Sequence, residues 1–253
     1  MISATGFQAA FAYFQLFLEG LVCTVTLSAL TVICGFVLAL VLALMRMSTF
    51  RPLKGLDKPG CSPVVRTISK FNPISLIANI YVEVFRATPL LVQLFIVYYI
   101  LLADISLPSF KLFGLIRFER MIPGVIALSL NSGAYLSEII RSGIQSIDGG
   151  QTEAARSLGM TQFQNMYYIV LPQAIRNILP AIANEFVTII KESSICWTIG
   201  VQEIMSAVNS IKAATYFIGE PLIIAACVYF CLTFPTSKII EHFERKMSRG
   251  NKR

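Results

Sequence analysis

Charged and apolar positions alternate in blocks along this chain. Every residue from 20 to 45 is uncharged, between Glu19 and Arg46. At about 1.5 Å rise per residue that run exceeds the roughly 30 Å hydrocarbon core of a bilayer. A second apolar block spans residues 74–103, with Glu83 and Arg86 in its first half and no charge over residues 87–103. Further blocks cover residues 121–140, 174–199 (carrying Glu185, Lys191 and Glu192) and 221–240. The pattern predicts an all-α integral membrane protein with five transmembrane helices over about residues 20–45, 74–103, 121–140, 174–199 and 221–240. No long repeat or low-complexity stretch divides it, so residues 1–253 read as one integral membrane domain.

Composition agrees with that reading. Of 253 residues, 55% are hydrophobic and only 14% charged, against about 25% charged in soluble domains. A soluble core of this size cannot hide so much apolar surface. The net charge of +7 would suit a nucleic-acid binder, but its placement argues for topology instead. Arg46, Arg51, Lys54, Lys58, Arg66 and Lys70 follow the first span, Arg141, Arg156 and Arg176 follow the third, and Lys238, Arg245, Lys246, Arg249, Lys252 and Arg253 fill the tail. The other side holds Lys111, Arg117, Arg120 and Lys212. The bias orients the N-terminus outside and the C-terminus in the cytoplasm. No basic residue precedes the first span, so the chain is expected to keep its apolar N-terminus instead of losing it as a signal peptide. Six cysteines without a Cys-x-x-Cys pair, and one histidine, His242, predict neither a disulfide framework nor a metal site.

The segment between the third and fourth blocks, residues 148–172, carries the strongest local signals. Asp148 followed by Gln151, and Thr161 followed by Gln164, fit capping boxes, and Gly159 suits a left-handed helix stop. Two short helices with a sharp break result, forming a rigid knob at the membrane surface.

Glu153-Ala154-Ala155, Gly159, Ile169 and Leu171-Pro172 match at every defined position the loop of binding-protein-dependent ABC importer permeases, and the chain resembles that family. Glu83-Val84-Phe85-Arg86-Ala87-Thr88-Pro89, Ala134-Tyr135 through Glu138 and Arg141, and Lys191-Glu192-Ser193-Ser194 resemble its polar amino-acid branch, which covers the histidine, glutamine, arginine and glutamate permeases. Two features depart from the branch: residues 51–72 form a longer segment, and Ser193 stands where threonine is common. The resemblance implies a type I importer fold in the bacterial cytoplasmic membrane. It also implies two ABC ATPase subunits, a second permease subunit (the same chain or a similar one) and an extracytoplasmic amino-acid-binding protein. Glu153, Ala154, Ala155, Gly159, Leu171 and Pro172 would then couple to the ATPase.

The chain is not itself expected to hydrolyse ATP or hold a cofactor. The nearest approach to a phosphate loop, Gly55 through Gly60-Cys61-Ser62, has Cys61 where the lysine belongs, so ATP and magnesium fall to the partner ATPase.

Ionisable groups inside spans cost about 2.5–3.5 kcal/mol at the helix centre on insertion scales and mark candidate functions. Glu83 and Arg86, three residues apart, read as a mutually neutralising structural pair, or as a gate. Asn184, Glu185 and Thr188 share one face of the fourth span. Glu185 suits either a substrate ammonium or an inter-helix hydrogen bond. Ser129, Asn131 and Tyr135 join the list of pathway candidates, although small polar residues also serve helix packing. An ion-coupled secondary transporter or channel subunit is the alternative, for which neither an internal repeat nor an ion-ligand cluster speaks.

Overall fold

The computed structural model describes residues 2–56, 62–63, 67, 69–112, 114 and 116–248. Lys58, Gly60, Cys61, Arg66, Arg249, Lys252 and Arg253, together with much of the long segment after the first span, lie outside the described residues.

Two long helices form the spine. The first apolar block becomes α2 (Phe14–Arg46), preceded by α1 (Ala4–Ala12), and the third becomes α5 (Phe118–Gln145). They pack along most of their length. Small residues let their backbones approach: a methyl on Gly133 would meet Leu38 Cδ2 at 2.8 Å, and one on Gly35 would meet Ser132 at 3.4 Å. Against α5 lie α3 (Pro73–Ala87) and the long helix α8 (Leu171–Glu192), which continues as a 3-10 segment (Ser193–Ile199) ended by Gly200 at φ 84°. Helix α9 (Ile204–Thr215) packs on α2, and α10 (Gly219–Ser248) packs on both α8 and α9.

The second apolar block does not run as one straight helix. α3 ends at Thr88, whose backbone is extended (φ −108°, ψ 144°), and α4 (Leu90–Ile96), prolonged by a π turn to Leu101, leaves at 111°. Pro89 explains the break. It has no N–H to continue the helix, and its ring drives the preceding residue out of the helical region. The exposed carbonyls are taken by a side chain: Gln93 Nε2 donates to Phe85 O (2.8 Å), Thr88 O (3.0 Å) and Thr88 Oγ1 (2.8 Å).

Three apolar clusters fill the bundle. One joins Cys23 and Leu27 of α2 to Leu94, Val97, Met121, Leu128 and Cys196. A second joins Ala10 and Phe17 to Ile204, Ile211 and Ile224. A third joins Ala39 and Ala43 to Leu136, Ile140, Ala174 and Ile178. The first two gather the starts of α2, α5 and α10 and the end of α8, whereas the third gathers the ends of α2 and α5 and the start of α8. The packed pair α2 and α5 is therefore parallel, whereas segments successive along the chain alternate in direction, and the α3–α4 pair begins at one end of the bundle and finishes at the other.

Among the described residues, α2 and the Gly219–Lys246 stretch of α10 are each long and apolar enough to cross a membrane, and the bent α3–α4 pair makes a third if counted as one span. α5 and α8 cover most of the third and fourth blocks, and both are amphipathic; α5 also buries Ser129, Asn131 and Ser132 against its neighbours.

Candidate coupling and translocation sites

The knob forms with one correction. α6 (Gly149–Ser157) starts at Asp148, whose carboxylate accepts from Gly150 N (2.9 Å). The reciprocal bond from Gln151 is absent among the described contacts, so Asp148 caps without a box. The helix ends in a Schellman arrangement: Met160 N donates to Ala155 O (3.1 Å), Gly159 N donates to Arg156 O (3.0 Å), and Gly159 takes φ 81°. The second box closes as read, with Gln164 N donating to Thr161 Oγ1 (3.2 Å) and Thr161 N to Gln164 Oε1 (2.8 Å) around α7 (Gln162–Asn165). A π turn over Met166–Val170 leads into α8 with Leu171 and Pro172 at its start.

Asn165, 5% exposed, donates to Thr152 Oγ1 (3.2 Å) and ties α7 back onto α6. Ala155 is buried beneath the turn, while Glu153, Ala154 and Gly159 are exposed. Beside them Leu158 is 84% and Phe163 76% exposed. Two large apolar side chains are thus held in the open on locked backbone, as an exposed apolar patch.

At the same end of the bundle Glu138 holds two arginines. Arg46 Nη1 reaches Glu138 Oε2 at 2.5 Å and Arg141 bridges both carboxylate oxygens, while Arg46 Nε also donates to Asn79 Oδ1 (2.7 Å). The Glu138–Arg141 pair is thus one arm of a junction fastening α2, α3 and α5.

Glu83 and Arg86 behave differently from the expectation. They form no ion pair among the described residues; the Arg86 guanidinium instead lies over the Tyr135 ring, 5.7 Å from its centroid. An exposed i, i+3 pair is worth only a few tenths of a kcal/mol, and an aromatic face within reach competes with it.

The remaining pathway candidates separate into two groups. Ser129 and Asn131 are buried at helix contacts: Ser129 Oγ donates to Thr31 O (3.3 Å), and Asn131 Nδ2 donates to Phe85 O (3.2 Å) and Gln93 Oε1 (2.9 Å). Asn184 is exposed on α8, and Glu185 and Thr188 are half-buried, with Thr188 Oγ1 bonded to Asn184 O (3.3 Å). Glu185 lies beside the buried hydroxyl of Ser132 on α5.

Two acids emerge that the sequence reading passes over. Glu203, fully buried, caps α9 by accepting from Met205 N and Ser206 N (both 2.9 Å) and from Tyr229 Oη (2.8 Å). Glu220 accepts from Ser3 N (2.8 Å) and pins α1 to the start of α10. The available signal was an acid standing immediately before an apolar helical run with no basic residue in reach. Glutamate is a rare N-cap, which hid it.

Comparison with known proteins fits this geometry. The chain is 40% identical to the arginine transport system permease protein ArtQ of Bacillus subtilis, over 97% of this chain and 98% of that one. It is 38% identical to the putative glutamine transport system permease protein GlnP of Rickettsia typhi, over 91% and 92% respectively. Among solved structures, a chain of an amino acid ABC transporter crystallised with histidines shares 40% identity and superposes with a TM-score of 0.80 over 97% of this chain and 100% of that one. A chain of the inward-facing MetNI methionine ABC transporter, at 15% identity, shares the fold with a TM-score of 0.62 over 91% of this chain and 97% of that one. Residues 65–249 match the family model of binding-protein-dependent transport system inner membrane components, and the chain belongs to that family.

Proposed function

We propose that this chain is the permease subunit of an ATP-driven ABC importer, carrying a polar or charged L-amino acid across the bacterial inner membrane by alternating access. The observation that carries the reading is the knob. Its backbone is locked by a Schellman stop and a capping box, and it holds Leu158 and Phe163 out where a separate ATPase can grip them. Glu153, Ala154, Ala155 and Gly159 line the same turn, and Leu171 and Pro172 pass its movement to α8. The names of the relatives, an arginine transport system permease and a putative glutamine transport system permease, support the substrate class.

The alternating helix directions support five spans: α2, the broken α3–α4 pair, α5, α8 with its 3-10 extension, and α10. The basic ends of α2 and α10 support a cytoplasmic knob and an N-terminus outside. Five spans enclose a path only with a second permease subunit. The assembly then comprises two permeases, two ATPases supplying ATP and magnesium chemistry, and a binding protein delivering solute. Asn184, Glu185 and Thr188 form the side of α8 that a translocation path would follow.

Reconstituted with these partners, the complex is expected to take up labelled arginine or glutamine into proteoliposomes only with ATP. Uptake driven by an ion gradient without ATP would overturn this reading in favour of a secondary transporter.

A further inference from the structure

Arg86 sits inside the membrane with its charge unanswered. α3 begins against the end of α2, where Asn72 Nδ2 donates to Ser48 O (2.6 Å) and Ser75 Oγ to Arg46 O (3.3 Å). Arg86 stands 13 residues beyond Pro73, so about 20 Å further along the helix axis. At that depth a cation facing lipid is disfavoured, and such residues turn towards partners or water-filled paths. Yet among the described residues it makes neither an ion pair nor a side-chain hydrogen bond, and both Arg86 and Tyr135 are exposed in this protomer. A guanidinium held near a ring by charge spends none of its N–H donors in hydrogen bonds, so the fork that matches a carboxylate stays available.

Its position is fixed by the break that follows it. Gln93 and Asn131 are each 6% exposed, and together they close a ring of amide bonds around Phe85 O, the carbonyl that joins Phe85 to Arg86. Asn131 lies one helical turn before Tyr135 on α5. The same clasp that ends α3 therefore sets the guanidinium and the aromatic face against each other.

We infer that Arg86 is an anchor for the substrate's α-carboxylate in the translocation path, and that Gln93, acting through Asn131 and the Phe85 carbonyl, is the residue that positions it. The inference rests on the amino-acid import reading above. It gives the path a group that recognises what all α-amino acids share, separate from the side-chain selectivity that Asn184, Glu185 and Thr188 would supply.

The test measures equilibrium binding of labelled L-arginine and L-glutamine to the purified permease–ATPase complex without the binding protein, with the corresponding α-amides as competitors. The wild-type complex is expected to bind the amino acids at least tenfold more tightly than the amides. Arg86→Gln should weaken amino-acid binding tenfold or more and abolish the preference over the amide. Gln93→Leu, and Gln93→Glu, which keeps the shape but loses the donor, should weaken binding similarly. Either change added to Arg86→Gln should do nothing further, because positioning has no meaning once the anchor is gone. An unchanged Kd in Arg86→Gln, additive losses in the double variants, or loss of complex assembly in Arg86→Gln with binding intact in what remains would overturn the assignment. A wild-type complex that fails ATP-driven uptake and binds neither amino acid would overturn the import reading and this inference with it.

Discussion

The knob at residues 148–172 and the broken span α3–α4 are both interruptions of helix, held by contacts of opposite range. In the knob, Gly159 N bonds back to Arg156 O, Met160 N to Ala155 O, and Thr161 and Gln164 bond each other, all within a few residues, so the shape is built into the local chain. In the broken span, Pro89 opens the helix but the vacated carbonyls are met by Gln93, which is itself held by Asn131, 38 residues away on α5. A locally determined turn can move as a rigid body, as a mechanical contact must. A break held by a neighbouring helix is coupled to that helix, as a wall of a changing path must be.

The sharpest way to break this contrast is Gly159→Val. Nothing lies within 4 Å of a methyl placed there, so the damage is purely conformational: a β-branched residue at φ 81° carries strain of about 1–3 kcal/mol and removes the Schellman geometry. ATP-dependent uptake should fall tenfold or more, with co-purification of the ATPase reduced, while the transmembrane bundle keeps its thermal midpoint. Unchanged uptake and unchanged ATPase co-purification would detach the knob from coupling.

Asn131→Leu addresses the other region. It strands the Gln93 Oε1 acceptor and removes a donor from Phe85 O in a buried setting, a loss of about 1–3 kcal/mol. The complex should unfold at lower temperature, and a cysteine pair bridging α4 and α5 should crosslink less selectively. A wild-type midpoint would mean the break is held by Pro89 alone.

How much of this was legible in the sequence follows the same division. The left-handed stop at Gly159 and the Thr161–Gln164 box could be read because each residue and its partner share one turn. Pro89 signals an interruption, yet residues 74–103 read as one continuous span because hydropathy does not register a proline's geometry. The Gln93–Asn131 clasp lay beyond reach, since no local pattern says which distant amide will meet a freed carbonyl. Arg86 was misassigned for a related reason: spacing offered Glu83, and only packing brings the Tyr135 ring beneath it. Glu138 and Arg141 stand three residues apart and meet, whereas Arg46, 92 residues from Glu138, joins them only through packing. The first, third and fifth blocks lie within α2, α5 and α10, because apolar backbone in a bilayer has no alternative to a helix, but the helices overrun them, by eight residues at the end of α10, where charged residues continue the helix.

The smallest effect separates two caps that look alike in sequence. Asp148–Gln151 and Thr161–Gln164 share a spacing, but only the second pair exchanges both bonds. Gln151→Ala should therefore leave stability within about 0.5 kcal/mol, as at an exposed position with no cap contact. Gln164→Ala removes the acceptor for Thr161 N. It should loosen α7 by about 0.5–1 kcal/mol, within the range for lost helix caps, and be read as faster amide exchange over residues 161–165 than over 149–157. Equal exchange in the two variants would mean that the knob is stiffened by its Schellman turn and the Asn165–Thr152 bond alone, with the box contributing nothing to the rigidity on which coupling depends.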